Sequence, residues 1–457
     1  MVVAVATALA WAAVGCGGGE NGEAGQGAGR EAYAFPPAPT LTERPDTSET
    51  TEAIELALRS AVAGALDTDA LNRVARSGDP RLAWLVSDLL RFYQGSSDED
   101  DLVNAFNELT GIDVADDPNF EDNAWGAVTD HLIAWELPAP PDYRERKAAL
   151  FLAIEPRWAP FFADEDSAID WRLVSWGGVL LDDRPLGDTS LCPLGCIPAL
   201  DDPELTAASE GDWYADERIV FGVSVNGKAV AFPKNIMEVH EMVNITIGGK
   251  RLGIPYCTLC ASAQAFVLDG LPQAARAVLR TSGLLSRSNK VMFDLTSNSV
   301  FDTFTGRALS GPLQDANVRL GQVTVVSSTW GEWKRAHPET RIVARDGGIG
   351  RSYPDDPLGG RDDRGPIFPV GDVDARLPVQ ELVVGVIAAD GTPVAFPAAR
   401  ARDALARGAA VTEAGVELVR DGGGLRARST DGRELPAHEA FWFAWSQFHP
   451  ETELWDD

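Results

Sequence analysis

Residues 222–233 read GVSVNGKAVAFP, and residues 385–397 read GVIAADGTPVAFP, the same phrase with one residue added at its turn. Each places two short β-prone runs around an Asn-Gly or Asp-Gly pair. That is a strong local signal for a β-hairpin, because these residues accept the positive φ that a tight turn between twisted strands requires. A second pair of phrases follows in the same order, WGEWKRAHPET over 330–340 and WFAWSQFHPET over 442–452. Two matched landmarks in one order indicate an internal duplication. Copy one spans 168–345, a connecting loop spans 346–380, and a shorter copy two spans 381–457. Thr329 and Glu332 read as a capping box opening a short helix, which Pro338 closes after His337. Trp330 and Trp333, three apart, share one helical face and are expected to pack on the sheet, as are Trp442 and Trp445.

The copies differ in length. Phe232 and Trp330 lie 98 residues apart, whereas Phe396 and Trp442 lie 46 apart. The additional material in copy one carries His240, Glu241, Cys257 and Cys260, so any chemistry is expected there. Further strands are expected near 245–256, 263–268, 276–281 and 290–294.

Upstream, residues 51–165 read as helices. Ile54, Leu58, Val62 and Leu66 form one apolar stripe, and Asp79-Pro80 supplies a capping acid followed by a first-turn proline. Other helices are expected near 100–110, 122–136 and 142–154. His131 stands alone and reads as a packed or surface residue. The fold class is therefore α+β, a small helical N-terminal domain followed by a β-rich domain with an internal duplication.

Residues 1–15 are apolar and uncharged and stop at Cys16. The run is too short to span a bilayer, which takes about 20 residues, but it suits the core of a secretory signal. Ala13-Val14-Gly15-Cys16 resembles the lipobox of bacterial lipoproteins, which implies lipidation of Cys16 and attachment to a membrane through that lipid. Ala13 stands where Leu is usual and the basic leader is missing, so an ordinary cleaved signal is the alternative. Residues 17–50, rich in Gly, Glu, Pro and Thr, read as a disordered tether. The expected location is extracytoplasmic, lipid-anchored to the bacterial cell envelope. A net charge of −30, from 69 acidic and 39 basic residues, argues against nucleic acid as a partner. A protein partner is not legible.

Several motifs together carry a family likeness. They are the run Trp171–Asp183 with Trp176-Gly177-Gly178, the phrase IPALD over 197–201, the hairpin at 222–233, and His240-Glu241 followed by Asn244. Tyr256-Cys257-Thr258-Leu259-Cys260, Ser282-Gly283-Leu284 and the two Trp-to-Thr endings complete the set. Over roughly 168–457 they resemble the bacterial, usually exported family catalogued as domain of unknown function 3179, a resemblance that implies no reaction. Several members have Pro where this chain has Thr258. The Cys192/Cys196 pair and the helical domain lie outside the pattern.

Cysteines separated by two residues can present both sulfurs on one side of a turn, a geometry suited to a metal, a redox disulfide or a reactive thiolate. If the intervening strand runs back antiparallel, His240 meets Cys257 and Cys260, and two thiolates with an imidazole form a soft site for copper(I) or zinc. Met292 is the candidate fourth ligand, although Val291-Met292-Phe293 also reads as core. Glu241, Asn244 and Tyr256 are the supporting residues, and His240 with Glu241 also fits a base and its orienting acid. A thiol–disulfide oxidoreductase and a non-catalytic envelope binding or scaffold protein are the alternatives. Cys192-Pro-Leu-Gly-Cys196 reads as a local disulfide, with a four-sulfur zinc site as the other option.

Overall fold

The computed structural model describes residues 33–41, 47–192, 194–272, 277–360 and 365–456. The expected signal, Cys16 and most of the expected tether lie outside the described residues. Among those described, no helix is long and apolar enough to cross a membrane.

Helices Ser48–Val62, Thr68–Arg76, Ala83–Tyr93, Glu99–Thr110, Ala124–Ala134 and Tyr143–Ile154 build the N-terminal region. Ile54 and Leu58 are buried as their stripe requires, and Asp79 accepts the Arg81 N–H at the start of the 3-10 turn Pro80–Leu82. Part of the stretch read as tether is instead docked on this region. Trp135 Nε1 donates to Pro36 O at 2.7 Å, and the Tyr33 and Phe35 rings sit 5.3 and 5.0 Å from His131. Polar composition over 17–50 hid these two aromatic side chains, both half-buried. His131 itself is packed, as expected, with Nδ1 on Ala127 O at 2.8 Å.

The two repeated phrases occupy equivalent places. Strands Ile219–Val225 and Lys228–Pro233 form an antiparallel hairpin whose turn, Asn226 and Gly227, has positive φ at both residues. The first strand also pairs antiparallel with Val325–Thr329, and the second pairs parallel with Arg341–Val343. Leu382–Ile387 and Pro393–Pro397 repeat the hairpin, flanked antiparallel by Ala437–Phe441 and parallel by Glu453–Leu454. Helices Trp330–Ala336 and Trp442–Phe448 cross these sheets in the same manner. Each lays an indole on a strand glycine, Trp333 on Gly222 and Trp445 on Gly385. The indole N–H groups donate to Thr340 Oγ1 at 3.0 Å and Thr452 Oγ1 at 2.8 Å. The threonine ending each motif is thus the hydrogen-bond partner of a fully buried tryptophan.

What lies between the landmarks differs. The second unit inserts helix Ala398–Ala406 and an antiparallel meander from Val411 to Leu435. The first inserts helix Lys234–His240 and two further sheets. One of these carries Met242–Ile247 against Lys250–Cys257; the other carries Leu279–Ser286 against Asn289–Asp294. The segment expected as one strand over 245–256 is therefore a hairpin, turned at Gly248 and Gly249, both at positive φ. The apolar core of the helical region runs on into the second of these sheets through Trp171, Trp176, Leu284, Val291 and Phe293. Helical and β-rich regions meet across packed side chains, and the cysteine pair lies near that boundary.

Candidate functional site

Strand Met242–Ile247 does run antiparallel to Lys250–Cys257, pairing Met242 with Pro255. This returns Cys257 to the end of helix Lys234–His240. The residue that meets it there is Glu241, because Glu241 closes the helix at φ +50 and turns the chain between itself and His240. His240 faces the other way. Its Nδ1 lies 2.6 Å from Pro198 O and its Nε2 lies 2.7 Å from Tyr353 Oη, so Nδ1 carries the proton and the tyrosine hydroxyl donates to Nε2. Burial pulls this imidazole down to about 4 and keeps it neutral. His240 borders a separate cavity of about 340 Å³ with Arg184, Asp201 and Arg351. Among the described residues, the ligand atoms of His240, Cys257 and Cys260 do not gather.

The other sequence-derived candidates divide as follows. Met292 is fully buried in an apolar cluster with Met242, Phe266 and Leu279, apart from the cluster that holds the cysteines. Asn244 joins two sheets, since its Nδ2 donates to Leu279 O and Asp201 Oδ1 while its Oδ1 accepts the Leu279 N–H, all at 3.0 Å. Tyr256 packs its ring, tilted by 45°, 4.8 Å from that of Phe221 within the core. Cys192 and Cys196 form a disulfide. Asp182 lies beside them, the one such grouping of three among the described residues, but it is held by Arg184 and the Ala199 N–H. A four-sulfur zinc site is not assembled.

Around Cys257 the structure assembles a different set. Lys290 Nζ lies 3.1 Å from Glu241 Oε2 and donates to Glu241 O at 2.6 Å, while the Thr258 hydroxyl donates to Glu241 Oε1 at 3.1 Å. Glu241 thereby fixes a buried lysine beside the thiols. The Lys290 backbone N–H donates to Cys257 Sγ at 3.4 Å. Ser288 O lies 3.4 Å from Cys260 Sγ and 3.9 Å from Cys257 Sγ. Ser288 belongs to the two-residue turn Arg287-Ser288, whose φ values of +48 and +66 are held without a glycine. Two non-glycine residues in that region store strain of the kind found at functional sites.

The two thiols are treated oppositely. Burial and, more weakly, the Glu241 charge push Cys257 up, but a hydrogen bond from Cys260, the Lys290 N–H and the Lys290 charge outweigh them and leave the thiol below its ordinary value. Cys260 is pushed well above its ordinary value by burial, by the hydrogen bond it donates and by the negative charge it would face. Cys257 lines a cavity of about 520 Å³, together with Glu241, Thr258 and Lys290. The opposite wall comes from the helical region through Arg91 and Trp125, and from the connecting loop through Ile367 and Phe368.

A family model described as "Protein of unknown function (DUF3179)" matches residues 194–431, about half of the chain. The chain belongs to this family. The match is narrower than the resemblance over 168–457, leaving out the Trp171–Asp183 run and the second Trp-to-Thr ending. No curated protein and no solved structure matches the chain. The matched span contains Glu241, Cys257, Cys260 and Lys290, while Arg91 and Trp125 come from outside it.

Sequence reasoning missed Lys290 and Arg91. Lys290 carried a signal, as a lone cation directly before the apolar run Val291-Met292-Phe293 in strand Asn289–Asp294. Arg91 carried none, because one arginine near the end of an amphipathic helix looks like any other.

Proposed function

We propose that this family member is a thiol–disulfide exchange protein in which Cys257 attacks and Cys260 resolves. The observation that carries the reading is the opposite treatment of two adjacent thiols. Cys257, which lines the cavity beside Lys290, is shifted below the ordinary thiol value, and Cys260, which does not line it, is shifted above. The Cys257 thiolate attacks one sulfur of an external disulfide, so a bond forms from Cys257 to the substrate and the substrate's own sulfur–sulfur bond breaks. The departing half leaves as a thiolate and takes up the Cys260 proton. Cys260 then attacks Cys257, forming the internal disulfide and releasing the second half. Two electrons pass to the substrate, and an external dithiol restores the pair. Glu241 acts through Lys290 as a positioning residue.

The soft-metal reading, copper(I) or zinc on His240, Cys257 and Cys260, loses its imidazole to Pro198 and Tyr353. The lipobox-like start supports a lipid-anchored extracytoplasmic location, where exchange partners are disulfides and dithiols. The shared topology of the two hairpin units supports a duplicated unit whose second copy keeps the scaffold and lacks the chemistry.

The test is a redox titration of the purified chain in thiol–disulfide buffers, followed by peptide mass. The expected result is a reversible Cys257–Cys260 disulfide, with Cys260→Ser trapping a mixed disulfide at Cys257 and Cys257→Ser trapping none. Failure of the pair to oxidise at any buffer ratio, or a metal retained in native mass spectra, would overturn the reading.

A further inference from the structure

We infer that the cavity in front of Cys257 takes an organic anion, with its carboxylate on Arg91 and its apolar body along Trp125, Phe368 and Leu284. Joined to the exchange chemistry proposed above, on which this second half rests, the substrate is a small carboxylate-bearing disulfide.

Arg91 sits at the boundary between the helical and β-rich regions. Its guanidinium carbon lies 4.7, 5.4 and 5.5 Å from the ring centres of Trp125, Trp176 and Phe368, and its Nε donates to Trp176 O at 3.0 Å. Three rings and a carbonyl hold the cation in place, yet among the described residues it has no carboxylate partner. Arg287 likewise lacks an acid among the described residues, its Nη1 donating to Gln447 O at 3.2 Å, but it does not line this cavity, and three other enclosed arginines are paired. Arg280 is bidentate on Asp201, Arg184 is on Asp182, and Arg251 is on Asp202. In a chain with 69 acidic and 39 basic residues, a partly buried guanidinium without an acid partner among the described residues keeps its charge free to pair with an anion. Lys290, the other cation lining this cavity, is committed to Glu241.

A second, independent feature points into the same cavity. Thr281 lines it, is 4 % exposed, and has a hydroxyl without a hydrogen-bond partner. Buried hydroxyls are normally satisfied, so this one can take a partner from a group that reaches into the wall at Thr281. A volume of about 520 Å³ with apolar walls and few polar groups suits a small amphipathic molecule. The planar guanidinium fork matches a carboxylate in two-point geometry.

The test compares two aromatic disulfides at Cys257, dithiobis(nitrobenzoate), which carries carboxylates, and dithiodipyridine, which is neutral. The rate at Cys257 is read from peptide mass. Arg91→Met is expected to slow the anionic reagent roughly 10- to 100-fold, the loss of one charge-assisted pair. The neutral reagent should change less than about threefold, and Arg91→Lys should restore part of the anionic rate. Separately, nitrobenzoate, which cannot exchange thiols, should quench tryptophan fluorescence saturably in Cys257→Ser protein and lose this effect in Cys257→Ser/Arg91→Met. Equal slowing of both reagents would make Arg91 a packing residue and overturn the inference. Absent nitrobenzoate binding would overturn it too, while leaving thiol exchange standing. Saturable binding by a Cys257 inert to both reagents would retain the anion site and remove the exchange chemistry.

Discussion

Gly222→Ala tests the wedge on which each repeated unit is built. A Cβ at Gly222 would stand 2.5 Å from Cη2 and Cζ3 of Trp333, whereas ordinary contact begins at 3.4 Å. The indole must therefore retreat by roughly 0.9 Å or tilt by an equivalent amount. It has little room, being fully buried and tied by Nε1 to Thr340 Oγ1 at 3.0 Å. A retreat of that size breaks the bond and leaves a buried N–H unsatisfied, about 1–3 kcal/mol. Overpacking adds a comparable about 1–3 kcal/mol. Restricting the unfolded chain at a former glycine returns about 0.4–1 kcal/mol. The expected net loss is about 1–6 kcal/mol, read as a shift in the urea midpoint monitored by tryptophan fluorescence and near-UV circular dichroism. Gly385→Ala should lose at least as much, because its Cβ would fall closer still to Trp445. Gly321→Ala is the control, since nothing lies within 4 Å of a Cβ there, and it should stay within about 0.5 kcal/mol. If Gly222→Ala behaves like the control, the indole is not wedged and the structural account of the repeat is wrong. A double variant with Trp333→Leu should be less destabilised than the sum of its parts by about 1 kcal/mol or more.

The alkylation rate of Cys257 should follow a thiolate titration below the ordinary thiol range, and Lys290→Met should move its midpoint upward. A midpoint that does not move would remove the lysine from the site. Burial holds His240 down at about 4 and His438 at about 3, so both stay neutral in the fold and take up a proton near 6.5 only when unfolded. Their contribution to stability is complete above about pH 6.5 and is lost as pH falls toward the folded values, by up to about 1.4 kcal/mol per pH unit per histidine. A denaturant-midpoint series across that window should therefore be shallower for His438→Asn than for the parent. Lys147 Nζ is buried 2.7 Å from Asp88 Oδ1, one turn before Arg91 on the same helix. Lys147→Met should destabilise by about 3–5 kcal/mol, while Lys147→Met/Asp88→Leu should recover most of it, because the first strands a buried charge and the second removes it. Equal losses in the two would contradict that account.

Much of the scaffold was legible because it is written in local chemistry. Asn226-Gly227 specifies a turn by its tolerance of positive φ, Thr329 caps a helix, and a Trp three residues from another marks a packed face. These depend on neighbours within a few positions, and the doubling of each phrase made them stand out. The Cys257/Cys260 pair was legible as a candidate site, for a metal or for redox chemistry, for the same reason of spacing, and Cys192/Cys196 as a short-loop disulfide. The partner of Cys257 was not. His240 and Glu241 are adjacent, and which of them turns toward the thiols depends on one left-handed residue at a helix end. Lys290 reaches Glu241 from another sheet, and Arg91 reaches the same cavity from a helical region about 170 residues earlier in the chain. Sequence by itself determined the hairpins, the caps, the helical stripe and the chemically able residue types, because each is a short-range preference. Only the tertiary structure decided which of those residues face one another, because side chains far apart in the chain meet through strand register, one backbone torsion and the packing of two regions, and no local pattern encodes these.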